Sequence, residues 1–192
     1  MTDQMKIKPM KPVPVVERVE SLSASDLRDL CDATDSAILG GGGFGWLEVP
    51  NREGLERYWK GVITMPARVL LIARLDTVIC GTCQLWKPPS NNEAQSHIVQ
   101  LTTHFVAPWA RGHGLARMLV ERAEIEAKAE GFSVINLEVR ETMGRAIEIY
   151  EGLGFVRFGT HPYSVKVDEA FLKGYYYYKA IDSRLVECQA PP

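Results

Sequence analysis

Four segments of the chain carry apolar residues at spacings of three and four, the pattern of a helix with one buried face. The first begins at a capping serine, Ser23 or Ser25, and runs to about Ile38. The others span residues 52–62, a segment from near Gly114 to Gly131, and residues 143–153. The third segment has the most regular stripe, formed by Ala116, Leu119, Val120, Ala123 and Ala127.

Strands are predicted where β-branched and aromatic residues cluster between turn-forming residues. These segments are residues 68–74, 78–86, 97–106, 134–140, 155–159 and 175–181. Residues 88–95 are predicted as a loop, and residues 159–163 as a turn that contains Gly and Pro. In the last strand, Tyr175 and Tyr177 face one side and Tyr176 and Tyr178 the other, so one pair is expected in the core.

The order of these elements predicts an α+β fold built on a mixed sheet, because two helices and a run of strands precede alternating strands and helices. The chain has 192 residues, 46% hydrophobic and 24% charged, a composition that supports one folded domain. We place that domain at residues 16–192. Residues 1–15 carry prolines without periodicity and are predicted as a flexible leader.

Charge and hydropathy argue against several classes of partner. The formal net charge is −2, so no general electrostatic attraction to nucleic acid is expected. The apolar runs are far shorter than the roughly 20 residues that cross a bilayer, and no signal peptide is predicted. The sequence therefore predicts a cytoplasmic protein, monomeric or homodimeric, without nucleic-acid or membrane partners.

Cys80 and Cys83 form a C-x-x-C spacing, which occurs in zinc and redox sites. A structural zinc site needs four ligands, and no second close pair of Cys or His occurs in the sequence. The pair lies in a predicted strand, where residues three apart point to opposite faces. We therefore expect no metal site, and buried free thiols at Cys31, Cys80, Cys83 and Cys188.

The segment from Phe105 to Arg117 carries the strongest chemical signal: a strand, a short turn with glycines, and then an amphipathic helix. The free N–H groups at the start of a helix, together with the positive end of its dipole, bind anions. Gly112 and Gly114 keep the backbone accessible, while Arg111 and Arg117 add positive charge. A diphosphate fits this arrangement, and the alternative is a connection that binds no ligand.

Two other phosphate-binding motifs are not supported. The sequence contains no Gly-Lys-Ser/Thr tripeptide, which a Walker A loop requires. Gly40, Gly42 and Gly45 do form G-x-G-x-x-G, but they follow a predicted helix and precede an extended segment. The dinucleotide-binding fingerprint connects a strand to a helix instead.

The residues Arg111-Gly-His-Gly-Leu-Ala116 match the R/Q-x-x-G-x-G/A signature of the GNAT superfamily of N-acetyltransferases. Residues 137–155, which end in Tyr-x-x-x-Gly-Phe, resemble that family's second signature. The resemblance implies a three-layer α/β/α arrangement, with a twisted, mixed and mostly antiparallel sheet whose central strands splay apart. It also implies acetyl-CoA as the co-substrate. The implied donor-binding residues are Phe105, Val106, Arg111, Gly112, His113, Gly114, Leu115, Ala116, Arg117, Ala146 and Tyr150.

The same resemblance implies that Tyr150 is the acid that protonates the departing thiolate, although its apolar helical neighbours also suit a core tyrosine. The general base is open. Some members carry a glutamate at the position of Gln100, and a glutamine cannot accept the proton. His104 is the candidate base or proton relay, on the face of Gln100, Thr102 and Val106. The alternative is a structural, partly buried histidine.

Two further positions bear on the donor. The backbone N–H of Thr103 or His104 is a candidate hydrogen-bond donor to the thioester carbonyl. Met143 stands where the family commonly has an asparagine that contacts the cofactor. That difference removes one hydrogen bond, worth about 1 kcal/mol.

The resemblance places the acceptor near the connection between the first two helices, where Phe44, Trp46 and Glu48 are the candidate substrate-binding residues. An ordinary turn with two aromatic anchors is the alternative. A weaker similarity to tabtoxin-resistance-type acetyltransferases favours a small-molecule amine, acetylated by direct attack in a ternary complex. Acetylation of a protein N-terminus or lysine stays open. So does a non-catalytic acyl-CoA sensor, which Gln100 and Met143 motivate.

Overall fold

The computed structural model describes residues 11–42 and 45–188. Within these ranges the strands are β1 (Pro14–Val19), β2 (Arg68–Leu75), β3 (Val78–Trp86), β4 (Ile98–Val106), β5 (Val134–Arg140), β6 (Val156–Val167) and β7 (Ala170–Ala180). The α-helices are α1 (Ala24–Leu39), α2 (Arg52–Thr64), α3 (Leu115–Ala129), α4 (Gly144–Gly152) and α5 (Ser183–Cys188). The strands form one sheet in the order β1-β2-β3-β4-β5-β7-β6.

The sheet opens between its central strands, β4 and β5. All other neighbouring strands pair antiparallel, whereas these two run parallel. Their pairing joins only residues 98–100 to residues 134–136, so the strands separate beyond Gln100. The predicted α+β fold, with a mixed, mostly antiparallel sheet and splayed central strands, is therefore confirmed.

Helices cover both faces of the sheet and give the three predicted layers. On one face, Leu30 of α1 and Leu55 and Trp59 of α2 are buried against β2 and β3. The Trp59 Nε1–H donates to Thr34 Oγ1 at 3.1 Å, which satisfies the polar atom of this buried ring. The other face carries α3 and α4 over a larger core that includes Leu119, Val120, Ala123, Ile135, Leu137, Tyr150 and Tyr177.

Capping interactions in the sequence explain where the first two helices begin. Ser23, rather than Ser25, caps α1: its hydroxyl accepts from the Asp26 N–H, and the Asp26 carboxylate accepts from the Ser23 N–H. Asn51 caps α2 by accepting from the Gly54 N–H at 2.8 Å.

Cys31, Cys80 and Cys83 are buried free thiols, as the sequence predicted. The prediction that Cys80 and Cys83 face opposite sides is wrong, because β3 has a bulge at Cys80 that turns both side chains toward the core under α3. Burial raises the pKa of Cys80 to about 11, so this thiol stays protonated near neutral pH. In the described part of the chain, no three His, Cys, Asp or Glu side chains are grouped so that they could hold a metal ion.

At the two edges of the sheet, the strand β1 was not predicted and the strand β6 is longer than predicted. Pro14 and Val15, assigned to the leader, already belong to β1, which pairs with β2. At the other edge, β6 continues to Val167 through the predicted turn at 159–163. The helix α5 was also not predicted. Among the described helices, none is long and apolar enough to cross a membrane.

The tyrosines of β7 divide between the two faces as predicted. Tyr177 is fully buried in the core under α3 and α4, and Tyr175 packs against the same core. Tyr176 and Tyr178 lie on the other face, where both rings contact Phe158. The strand alternation therefore located the core pair correctly.

Candidate functional site

A β-bulge in β4 sets the geometry at the opening between β4 and β5. Thr102 pairs with Gln84 and Phe105 pairs with Thr82, so Thr103 and His104 together face the single residue Cys83. Thr103 has a φ of 52°, a left-handed conformation that is uncommon for a residue with a branched side chain. The bulge shifts the alternation of the strand by one residue.

This shift places His104 on the α3 face of the sheet. Its imidazole reaches Ala116 of α3 and Tyr150 of α4, and Val106 belongs to the same core. The predicted shared face with Val106 is correct. The predicted shared face with Gln100 and Thr102 is wrong, because strict alternation does not allow for the extra residue.

His104 and Tyr150 form a hydrogen-bonded pair. The Ala116 carbonyl oxygen lies 3.0 Å from His104 Nε2, and because a carbonyl only accepts, Nε2 carries the proton. His104 Nδ1 is then an acceptor, so the Tyr150 hydroxyl, at 2.7 Å, donates to it. Desolvation lowers the pKa of His104 to about 4, and the neutral imidazole is the form present near pH 7.

Tyr150 is 5% exposed and packs edge-on against Phe155. Burial raises the pKa of its phenol well above the usual value. The hydroxyl therefore keeps its proton near neutral pH. Both predicted catalytic side chains are thus in direct contact beside the opening of the sheet, and both are in their neutral forms.

The glycine turn (residues 111–117) joins the end of β4 to α3. Gly112 and Gly114 have φ values of 86° and 77°, which explains the glycines, since other residues are strained in this region. A Cβ atom added at either position would have no atom within 4 Å, so the space in front of the turn is open. Gly114 caps α3 without a side-chain hydrogen bond. The first turn of α3 is closed by the hydrogen bond from the Met118 N–H to the Gly114 carbonyl oxygen. The N–H groups of Leu115, Ala116 and Arg117 come before this bond in the chain, at the start of the helix.

Side chains around the glycine turn take different directions. A Cβ atom on Gly42 would lie 3.9 Å from an Arg111 guanidinium nitrogen, so Arg111 lies beside the connection between α1 and α2. His113 Nδ1 lies 3.1 Å from the Ala110 carbonyl oxygen, within the turn itself. Arg117 forms an ion pair with Glu121 at 3.6 Å. The geometry brings the predicted donor-binding residues together at one end of the sheet opening.

The remaining predicted donor residues lie nearby, on the strand β4 and the helix α4. Phe105 and Val106 are buried at the end of β4, past the residues 98–100 that pair with β5. Ala146 is half-buried on α4 and packs against the core. Met143 packs there too, as an apolar residue at the start of α4.

A small cavity lies at the end of β5. We call it the Trp46 cavity; its volume is about 320 Å³, and it is lined by Gly45, Trp46, Leu47, Arg140, Ser164, Val165 and Lys166. Of the predicted acceptor residues, Trp46 lines the cavity. Glu48 is exposed and does not line it, and Phe44 lies outside the described residues.

Sequence reasoning missed Arg140, Ser164 and Lys166. A signal for Arg140 was present in β5: residues Ile135, Leu137 and Val139 face the core, while Asn136, Glu138 and Arg140 form a polar stripe on the opposite face. Glu138 accepts a hydrogen bond from Ser164 of β6. A polar stripe on a central strand is unusual enough to indicate a functional face.

Comparison with known proteins gives a consistent result. A sequence profile of the acetyltransferase (GNAT) family matches residues 30–155. An uncharacterised N-acetyltransferase of Azospirillum brasilense, encoded in the hisH-hisA intergenic region, is 60% identical over 130 residues, which are 68% of this chain and 77% of that protein.

Two solved structures share the fold at low sequence identity. An N-acetyltransferase from Staphylococcus aureus superposes with a TM-score of 0.75 at 15% identity, over 88% of this chain and 99% of that one. A protein from Salmonella typhimurium, determined with its cofactor acetyl-CoA, gives a TM-score of 0.71 at 16% identity, over 93% and 98% of the two chains.

Proposed function

The chain belongs to the acetyltransferase (GNAT) family and is an acetyl-CoA-dependent N-acetyltransferase, and we propose that it acetylates the primary amine of a small molecule. The amine attacks directly, with both substrates bound at once. The observation that carries the proposal is the Trp46 cavity: its volume of about 320 Å³ suits a small molecule, and it reaches the last residue of β5, one of the two splayed strands.

The glycine turn is the proposed site for the diphosphate of acetyl-CoA. Its open front, its two glycines at positive φ and its uncapped helix start meet the requirements of an anion site. The amides from Gly112 to Arg117 would hold the phosphate oxygens, and Arg111 and Arg117 would add charge. The end of β4 at Phe105 and Val106, past the residues that pair with β5, would lie along the extended pantetheine arm, as a neighbouring strand would.

Tyr150 is the proposed general acid. Bound acetyl-CoA supplies a thioester whose carbonyl carbon accepts the amine nitrogen. As the carbon–sulfur bond breaks, the Tyr150 hydroxyl donates its proton to the leaving sulfur, and a phenol that stays protonated at neutral pH is suited to this step. Without a donor bound, this hydroxyl donates to His104 Nδ1, so it must leave that hydrogen bond to protonate the sulfur. His104 is therefore placed to act on Tyr150 and not as a base for the amine.

The amine must lose a proton to a different group, because both nitrogens of His104 are engaged by Tyr150 and Ala116. We assign this role to Glu138, a carboxylate that shares the cavity face of β5 with Arg140. The bulge at Thr103 and His104 leaves backbone amides beside the opening, and one of them is the proposed donor to the thioester oxygen.

Thiol release from acetyl-CoA tests the proposed function. We expect free CoA to form fastest with small primary amines, and more slowly with peptides that offer an N-terminus or a lysine. Peptides that react faster than all small amines would favour protein acetylation. Release that stays at the background rate with every amine would favour the acyl-CoA sensor. The cytoplasmic location and the monomeric or homodimeric state stay predictions from the sequence.

A further inference from the structure

A side-chain hydrogen bond crosses the strand β7 and joins its two neighbours. In the sheet, β7 lies between β5 and β6, and strands two places apart are about 10 Å from each other. The Ser164 hydroxyl of β6 nevertheless donates to Glu138 Oε1 of β5. The two side chains therefore meet above the backbone of β7.

Gly174 of β7 makes this contact possible. It is buried and pairs with Arg140, two residues beyond Glu138 on β5. A Cβ atom on Gly174 would lie 2.6 Å from Glu138 Oε1 and 2.6 Å from Ser164 Cβ, closer than such atoms approach in proteins. Gly174 is not among the glycines with positive φ, so space and not backbone conformation accounts for the missing side chain. A glycine inside a strand often marks a close approach of this kind.

The hydrogen bond fixes a carboxylate at the wall of the Trp46 cavity. Ser164 lines this cavity and holds Glu138, whose side chain is otherwise exposed. A glutamate has several rotamers of similar energy, so an exposed one needs a partner to stay in one place. A carboxylate that accepts from Ser164 through Oε1 can still take a proton on Oε2. The arrangement thus orients a proton acceptor beside the proposed acceptor site.

We propose that Ser164 and Gly174 are positioning residues for Glu138. The inference rests on the proposed function, which assigns Glu138 as the base for the amine. As the amine nitrogen bonds to the thioester carbon, its proton passes to Glu138 Oε2. The carbon–sulfur bond then breaks, and the sulfur takes the proton of Tyr150. A base that is already fixed where the proton is lost acts faster than one that must first reach that place.

Ser164→Ala tests the hydrogen bond, with the small primary amine that gives the fastest thiol release as substrate. We expect kcat to fall about tenfold, because the carboxylate is present but no longer fixed, and KM for acetyl-CoA to stay unchanged. Ser164→Thr keeps the hydroxyl on a side chain that suits a strand, and it should recover most of the kcat. A Ser164→Ala variant with the wild-type kcat, or a Ser164→Thr variant as slow as Ser164→Ala, would overturn the inference.

A double-mutant cycle shows whether Ser164 acts through Glu138. Glu138→Gln is expected to lower kcat by more than tenfold, because an amide cannot take the proton. Adding Ser164→Ala to Glu138→Gln should lower kcat no further. A tenfold effect of Ser164→Ala in both backgrounds would mean that the serine acts on the acceptor itself, which contradicts the proposed role.

Gly174→Ala tests the space above β7. The added Cβ should displace the Glu138 carboxylate, so we expect kcat to fall at least as far as in Ser164→Ala. Gly159→Ala is the control, because Gly159 lies on the adjacent strand β6 and its Cβ would make only ordinary contacts with Tyr176, at 3.7 Å and 3.8 Å. Equal kcat values for the two glycine variants would exclude the role of Gly174. If Gly174→Ala does not fold, the Ser164 variants decide.

Failure of the inference differs from failure of the proposed function. If no amine accelerates thiol release, or if Glu138→Gln leaves kcat unchanged, the proposed function loses its reaction or its base, and the inference fails with it. If Glu138→Gln is slow and Ser164→Ala is as fast as the wild type, the proposed function stands and the inference alone fails.

Discussion

The glycine turn and the Trp46 cavity are built in opposite ways. The turn is one continuous segment, residues 111–117, whose shape follows from two glycines and the start of a helix. The cavity is assembled from the α1–α2 connection, the end of β5 and the far part of β6, segments that are about 90 and 25 residues apart in sequence. Local sequence therefore determines the first, and tertiary packing determines the second.

The difference explains which function each region supports. A coenzyme common to a whole family can be held by a short, locally encoded backbone motif. The acceptor differs between enzymes, and its site is formed by loops and edge strands, which change without disturbing the core. Tyr150 and His104 belong to neither region and contact each other in the core under α3 and α4.

Tyr150→Phe has the largest expected effect. It should slow acetyl transfer without weakening the binding of either substrate. Loss of the phenolic proton should lower kcat about a hundredfold, the lower end of general acid catalysis. Acetyl-CoA affinity and acceptor KM should change little, because neither region loses a contact. Steady-state kinetics with calorimetry of donor binding checks this. An unchanged kcat would remove Tyr150 as the acid.

The buried pair of His104 and Tyr150 should make the free energy of unfolding depend on pH. Burial lowers the pKa of His104 from 6.5 to about 4, so between these values the unfolded chain binds a proton that the native protein does not. The stabilising contribution is present above pH 6.5 and is lost as the pH falls toward 4, at about 1 kcal/mol per pH unit. Urea unfolding at several pH values should show a steeper fall for the wild type than for His104→Gln. Parallel curves would contradict the assignment.

Gly114→Ala should damage the glycine turn and leave the cavity intact. A Cβ at the φ of 77° found here costs about 1 to 2 kcal/mol. We expect lower stability and about tenfold weaker acetyl-CoA binding, with acceptor KM unchanged. Gly61→Ala is the control, since Gly61 lies in the interior of α2 with open space around it and should gain stability. A Gly114→Ala variant that binds acetyl-CoA normally would show that the turn is not the donor site.

Trp46→Leu should weaken acceptor binding and leave acetyl-CoA binding intact, the reverse of Gly114→Ala. Its effect should be the smallest of these. The variant loses the edge-on contact with Tyr58, worth about 1 kcal/mol. Acceptor KM should rise about fivefold while the Kd for acetyl-CoA is unchanged. Trp86→Leu removes a tryptophan that stacks under Arg68 away from the cavity, and it should leave both constants unchanged. Equal effects of the two variants would argue against an acceptor site at Trp46.

Sequence reasoning succeeded where structure is local. The helix periodicity, the capping serine of α1 and the glycine turn each depend on a few neighbouring residues, and the structure confirms them. The family signatures lie within such segments. The position of His104 was not predictable by alternation, because the bulge at Thr103 requires a non-glycine residue at positive φ that only tertiary contacts can impose.

The edges of the sheet were mispredicted for a related reason. Pro14 indicated a leader and Pro162 a turn, yet both lie in edge strands. On the outer side of an edge strand, a proline without an N–H interrupts no hydrogen bond between strands. Because β6 was cut short in the prediction, the residues that it adds to the cavity, Ser164 and Lys166, were missed with it. An error at a strand end thus became an error at the candidate site.

Backbone amide NMR during titration with acetyl-CoA shows directly whether the glycine turn holds the diphosphate. We expect the amides of residues 112–117 to shift strongly with acetyl-CoA and little with acetyl-pantetheine, which lacks the diphosphate. Amides at the end of β4, past Gln100, should shift with both compounds. If residues 112–117 do not respond to acetyl-CoA, or respond equally to both compounds, the glycine turn does not hold the diphosphate.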